Sequence, residues 1–115
     1  MSRFEGKTVM ITGAARGFGA LAARMFAAEG ARVALGDVLD EVHDVAVELG
    51  GKALLCDVSD EAQVRALVEM AADMGGGRLD VGLNNAGIVH PLRKLADLDY
   101  ATFTKQIAVN AGGCF

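Results

Sequence analysis

Gly13, Gly17 and Gly19 follow a short apolar run, open a segment of helical periodicity, and precede an aspartate, Asp37, 20 residues past Gly17. Glycines placed so can hold a pyrophosphate. Gly13 can take the backbone angles of a tight strand exit, Gly17 lets the chain approach a phosphate, and Gly19 lets the new helix pack closely. The first turn of that helix adds unpaired N–H groups and a positive dipole end, next to which Phe18 also falls. The spacing Gly-xxx-Gly-x-Gly lacks the Lys-Ser/Thr ending of a phosphoryl-transfer loop, which argues against that chemistry.

Asp37, followed by Val38, ends the second apolar run, where a ribose would lie. A carboxylate there accepts hydrogen bonds from both ribose hydroxyls and repels a 2′-phosphate, whereas the bland alternative is a helix cap. Arg16 pulls the other way, since a guanidinium beside the glycines can reach a 2′-phosphate, unless it is merely an exposed loop side chain. No second basic residue flanks Asp37, so NAD is expected over NADP.

Further along, Asp57-Val58 follow a third run and suit an adenine by hydrogen bond and apolar contact, or else form a turn. Asn84-Asn85-Ala86-Gly87 follow a fourth, where two adjacent amides need partners. Phe103, Ile107, Asn110 and Cys114 recur at helical spacing, which places the Asn110 amide on an apolar face. Such an amide belongs to a hydrogen-bonded network or is a satisfied core group. His90 reads as a surface-loop histidine or a substrate contact. No His, Cys and carboxylate cluster has metal-ligand spacing, so no metal is expected.

Strands are expected at residues 8–12, 32–37, 52–56 and 81–84. Between them, helices show apolar faces at Phe18, Leu21, Ala22, Met25 and Phe26, then Val42, Val45, Ala46 and Leu49, then Val64, Leu67, Val68 and Ala71. Ser59 is a candidate cap for the third helix, and a last helix should start near Leu98 or Asp99 and run to the end. Strands alternating with helices imply parallel pairing with right-handed crossovers, hence an open, doubly wound α/β sheet of which four strand–helix units are present.

The 115 residues, 52% of them hydrophobic and 23% charged, suffice for one domain with a real core. A formal charge of −4 gives no basic footprint for nucleic acid or anionic membranes. Two cysteines make neither a disulfide framework nor a zinc site, and no leader or membrane-spanning run is evident, so a cytoplasmic protein is expected.

Thr12-Gly13-xxx-Gly17-x-Gly19, Asp37, Asp57-Val58, Asn84-Asn85-Ala86-Gly87 and Val109-Asn110-xx-Gly113 together resemble the short-chain dehydrogenase/reductase family, in its order and spacing. The resemblance covers essentially the whole chain and implies a Rossmann-like fold. It further implies hydride transfer between NAD and a secondary alcohol or ketone, and a homodimer or homotetramer built through helices that begin around residue 100. By the same resemblance, Asn85, Ala86 and Gly87 lie near the nicotinamide ribose, and Asn110 supports a proton relay to a catalytic lysine. The family uses a tyrosine acid–base, a lysine four residues later and a polarising serine. Tyr100 is followed at that spacing by Thr104, and Lys105 is one residue out of step, so Tyr100 does not match. Members are about twice this length, and a fourth strand left at the sheet edge favours aggregation. The expectation is therefore an N-terminal segment of a longer enzyme, inactive alone. The alternative is a non-catalytic NAD-binding module or a partner-dependent fragment.

Overall fold

The computed structural model describes residues 2–115. Its elements run β1 (Thr8–Thr12), α1 (Gly17–Ala28), β2 (Arg32–Asp37), α2 (Glu41–Leu49), β3 (Lys52–Leu55), α3 (Glu61–Met74), β4 (Val81–Leu83) and α4 (Tyr100–Asn110). The strands form one parallel sheet in the order β3-β2-β1-β4. β1 and β2 match the expected spans; β3 and β4 each stop one residue earlier than expected, before Cys56 and Asn84.

Side chains alternate across the sheet, so β1 and β2 are covered on both faces. Val9, Ile11, Val33 and Leu35 pack with Ala20 and Ala23 of α1 and Val42, Val45 and Ala46 of α2. Met10 and Ala34 point the other way, onto Leu67 and Ala71 of α3.

The α2 and α3 faces are close to those expected, and the α1 face is so only in part. Ala22 and Phe26 pack against the core as expected, but Phe18, Leu21 and Met25 are exposed, and the residues that α1 buries are Gly19, Ala20 and Ala23. Small residues let the helix axis come close to the strands, so bulk at helical spacing marks only one flank of the buried stripe. Ser59 is also not the cap of α3: the Asp60 side chain accepts from the Ala62 and Gln63 N–H groups. The last helix stops at Asn110 and gives way to a 3-10 turn, Gly112–Cys114.

Asp80 ties the start of β4 to the start of β1. Its Oδ2 accepts from the Thr8 N–H at 2.9 Å, its own N–H donates to the Thr8 carbonyl, and Arg78 lies against Oδ1 as an ion pair. The Thr8 hydrogen bond, helped by Arg78, holds the Asp80 carboxyl below the usual carboxylate range. A folded pKa below the unfolded one stabilises fully above about pH 4, and the gain is lost as pH falls through the lower folded value. Asp80→Asn is expected to lower Tm at pH 7 and to flatten the loss of Tm between pH 4 and pH 2, both read by circular dichroism. An unchanged acid limb would show that the pairing adds nothing.

Candidate functional site

All four strands are parallel, so the loops that follow them open on one edge of the sheet. β1 lies between β2 and β4, and the chain reverses its direction of travel there, which leaves a crevice at the carboxyl ends. Every loop singled out by the sequence begins at that edge.

The first loop is fixed by contacts to the fourth. The Thr12 side chain is 4% exposed, and its Oγ1 accepts from both the Asn85 and the Ala86 N–H groups at 3.1 Å. Asn85 Nδ2 returns a hydrogen bond to the Gly13 carbonyl at 3.2 Å. Gly13 has φ 68°, and a Cβ on it would sit 2.9 Å from the Ala86 Cα. A Cβ on Gly19 would collide with the Gly13 carbonyl oxygen. Gly17 differs from both: its φ is 55° and a Cβ there would meet nothing within 4 Å. Packing thus accounts for Gly13 and Gly19, whereas Gly17 faces open ground.

That open ground adjoins the N-terminus of α1. Arg16 occupies the cap position in extended conformation, no side chain caps the helix, and its first turn holds no acidic residue. Free first-turn N–H groups beside an unobstructed glycine suit an anion. The residues present therefore fit the phosphates of a dinucleotide.

Two carboxylates from the β2–α2 connection grip the same turn. Asp37 Oδ2 accepts from the Ala15 N–H at 3.0 Å, and Oδ1 accepts from the Leu39 N–H at 3.2 Å. Asp37 thus fastens its own loop and the glycine turn rather than capping α2, whose cap position is Asp40. The next residue of the turn, Arg16, donates through Nε to Glu41 Oε2 at 2.7 Å. Phe18 and Val38 flank this region, both exposed.

On the other side of the edge, Asp57 Oδ1 accepts from the Ser59 N–H at 2.9 Å and from its hydroxyl at 2.6 Å. Those bonds, the hydroxyl first, hold the Asp57 carboxyl below its ordinary range. Val58 is buried against Gly113, and a cavity of about 260 Å³ opens beside Val58, Ser59, Val64 and Gly113.

Asn110 corrects the sequence reading. α4 has no buried residue, Phe103 and Ile107 are each 51% exposed, and Asn110 is itself exposed rather than set in a core. Its amide instead pairs with the backbone of Ile88: Oδ1 accepts from the N–H at 2.8 Å and Nδ2 donates to the carbonyl at 2.9 Å. A Cβ on Gly87 would lie 3.4 Å from that Oδ1, so Gly87 and Asn110 are neighbours. Asn84 is exposed, and the His90 Nδ1 lies 2.7 Å from the Pro91 carbonyl oxygen, within its own loop.

Thr12 stands in the quoted motif without a role of its own, which its bonds to Asn85 and Ala86 supply, whereas sequence reasoning missed Glu41 as a member of the site. A hydroxyl at the end of a fully buried strand needs partners, which is a usable signal for Thr12. Glu41 carries no motif. Among the described residues no His, Cys and carboxylate group could hold a metal ion, and no helix is long and apolar enough to cross a membrane.

A family model described as enoyl-(acyl carrier protein) reductase matches residues 13–115. Short-chain dehydrogenase reductase 5 of Arabidopsis thaliana is 42% identical over 96% of this chain and 44% of its own length. The mitochondrial borneol dehydrogenase of Lavandula x intermedia is 39% identical over 100% of this chain and 45% of its own. Among solved structures, a 3-ketoacyl-(acyl-carrier-protein) reductase of Brucella melitensis complexed with NADH superposes with TM-score 0.90 at 37% identity, covering 96% of this chain and 46% of that one. A short chain dehydrogenase of Burkholderia cenocepacia J2315 in complex with NADP gives 0.88 at 32% identity, covering 96% and 47%. The chain thus spans less than half the length of these relatives.

Fold and crevice define a Rossmann-like α/β protein. The chain belongs to the short-chain dehydrogenase/reductase family, a family of oxidoreductases.

Proposed function

We propose that this chain holds NAD for an oxidoreductase that interconverts a secondary alcohol and a ketone by hydride transfer. The observation that carries the reading is Gly17: a left-handed glycine with open space above it, at an uncapped helix N-terminus, beside a carboxylate. Gly13, Gly17, Phe18 and Gly19 form the pyrophosphate cradle, and the first-turn N–H groups of α1 donate to it. Asp37, with Val38 beside it, receives the ribose hydroxyls. Asp57 and Val58, next to their cavity, receive the adenine, while Asn85, Ala86 and Gly87 line the nicotinamide side.

When bound, the nicotinamide ring accepts or delivers the hydride. This chain's residues bind and orient it. Asn110 acts through the Ile88 backbone and fixes the segment after β4, while its relay to a lysine rests on the family resemblance. Since Tyr100 is followed by Thr104 rather than lysine, the 115 residues alone bind without turnover. The half-exposed Phe103 and Ile107 of α4 support a homo-oligomer. NADP is the competing cofactor, and Arg16 is the residue that would favour it.

Titration calorimetry of the chain with NAD and NADP, beside Gly17→Ala, tests the reading. Alanine there costs roughly 1–2 kcal/mol in left-handed strain and sets a methyl where a phosphate would approach. The variant should stay folded by circular dichroism and bind NAD at least about tenfold more weakly, equivalent to one lost interaction of 1.4 kcal/mol. Wild-type protein that binds neither dinucleotide would overturn the proposal.

A further inference from the structure

Arg16 and Glu41 form an ion pair between the glycine turn and the first residue of α2, with Arg16 Nε donating to Glu41 Oε2 at 2.7 Å and a second guanidinium nitrogen on the same oxygen. We propose that Glu41 is a specificity-determining residue that withdraws the Arg16 guanidinium from the ribose 2′ position and so sets the preference against a 2′-phosphorylated dinucleotide. The inference rests on the cofactor-binding reading above and adds a residue that no motif marks.

Ala15 and Arg16 are consecutive in the turn, and each is tied to a carboxylate of the β2–α2 connection, Ala15 to Asp37 and Arg16 to Glu41. A ribose held by Asp37 therefore lies within the reach of whichever cation stands beside it. Arg16 is that cation, on a side chain 69% exposed. A guanidinium offers a planar fork of donors that matches a phosphate well. Left free, it would welcome a 2′-phosphate. Glu41 competes with that phosphate for the same donors.

Glu41 is well placed to compete. It lies in the first turn of α2, where the positive end of the helix dipole favours a carboxylate. A 2′-phosphate must displace it, and its charge must be faced as well. The pair is nevertheless open to solvent, since the Glu41 side chain is 47% exposed, so the effect is bounded by what screened surface pairs deliver. It tunes a preference whose main determinant is Asp37.

The same geometry would serve a different purpose if the pair only braced the glycine turn. The two roles separate by ratio. A brace, once removed, weakens both nucleotides alike. A competitor, once removed, improves binding of the 2′-phosphorylated one alone and only while Arg16 is present.

The experiment measures dissociation constants of NAD and NADP by calorimetry for the wild-type chain, Glu41→Gln, Arg16→Ala and the double variant, with thermal unfolding recorded for each. Glu41→Gln should tighten NADP by about threefold to fivefold, the upper part of the range open to an exposed pair, and leave NAD within about twofold. In the Arg16→Ala background the same change should move the NADP to NAD ratio less than about twofold. Rising salt should shrink the Glu41→Gln effect. An unchanged ratio in Glu41→Gln, or an equal change with and without Arg16, overturns the role of Glu41 while leaving nucleotide binding intact. Failure of the wild-type chain and every variant to bind either dinucleotide overturns the cofactor reading itself, and the Glu41 inference with it.

Discussion

Asp37→Ser should move the ratio of NADP to NAD dissociation constants by about a hundredfold in favour of NADP, as two hydrogen bonds to a charged acceptor at roughly 1.5 kcal/mol each would allow. The carboxylate stands at the end of β2 with one oxygen on the Ala15 N–H and the other on the Leu39 N–H, so its position is fixed before any ligand arrives. A fixed carboxylate accepts from ribose hydroxyls without reorganising, and it opposes the charge of a 2′-phosphate at short range. Serine removes the charge and keeps one acceptor for the loop. Asp37→Asn separates the terms, since it keeps the size and loses the charge. Asparagine should relieve the exclusion of NADP while weakening NAD less than serine does. Both constants come from calorimetric titration. If the ratio stays within a few-fold of wild type in both variants, Asp37 only fastens its loop to the glycine turn, and the preference for NAD loses its main support.

Much of this fold was written in hydrophobic runs. β1 and β2 lie inside the sheet with both faces covered, so the residues within them, Val9 to Ile11 and Val33 to Leu35, are apolar and their polar ends are readable. α2 buries Val42, Val45 and Ala46 as the periodicity predicts. On α1 periodicity finds Ala22 and Phe26 but, weighing bulk, adds the exposed Phe18, Leu21 and Met25 and passes over Gly19, Ala20 and Ala23, which permit close approach. The parallel pairing, and with it the clustering of the strand-end loops, followed from the alternation of strands and helices, whereas the return of β4 to the side of β1 is seen only in the structure. What the sequence did not reveal are the partners of polar groups across long separations. Thr12 with Asn85, Asn110 with Ile88 and Arg16 with Glu41 are 73, 22 and 25 residues apart. Two of these pairs involve a backbone group, which has no residue type to advertise it. Asn110 shows the cost: helical spacing placed its amide in a core, yet α4 lies at the rim and the amide serves the loop after β4.

Gly19→Ala is expected to be strongly destabilising, although alanine is the better helix former by about 1 kcal/mol. Gly19 is a buried residue of α1, and the added methyl would strike the Gly13 carbonyl oxygen and come 2.7 Å from Asn85 Nδ2. Neither neighbour can yield cheaply. Gly13 is itself constrained, with Ala86 and Asn85 already 2.9 Å from where its own Cβ would be, and Asn85 is held by Thr12. Relief therefore requires α1 to lift off the sheet, which strips contacts from Ala20 and Ala23. Overpacking of this kind costs about 3 kcal/mol or more, which outweighs the helix propensity gained. In a domain of this size that is a fall in Tm of roughly 15 °C. Thermal unfolding followed by circular dichroism measures it, with Gly17→Ala as the comparison. Gly17 has open space where Gly19 has backbone, so its variant should melt within about 8 °C of wild type. If Gly19→Ala melts as high as Gly17→Ala, the α1–β1 contact is looser than these distances require. The division of labour between the two glycines, one for packing and one for the ligand, then fails.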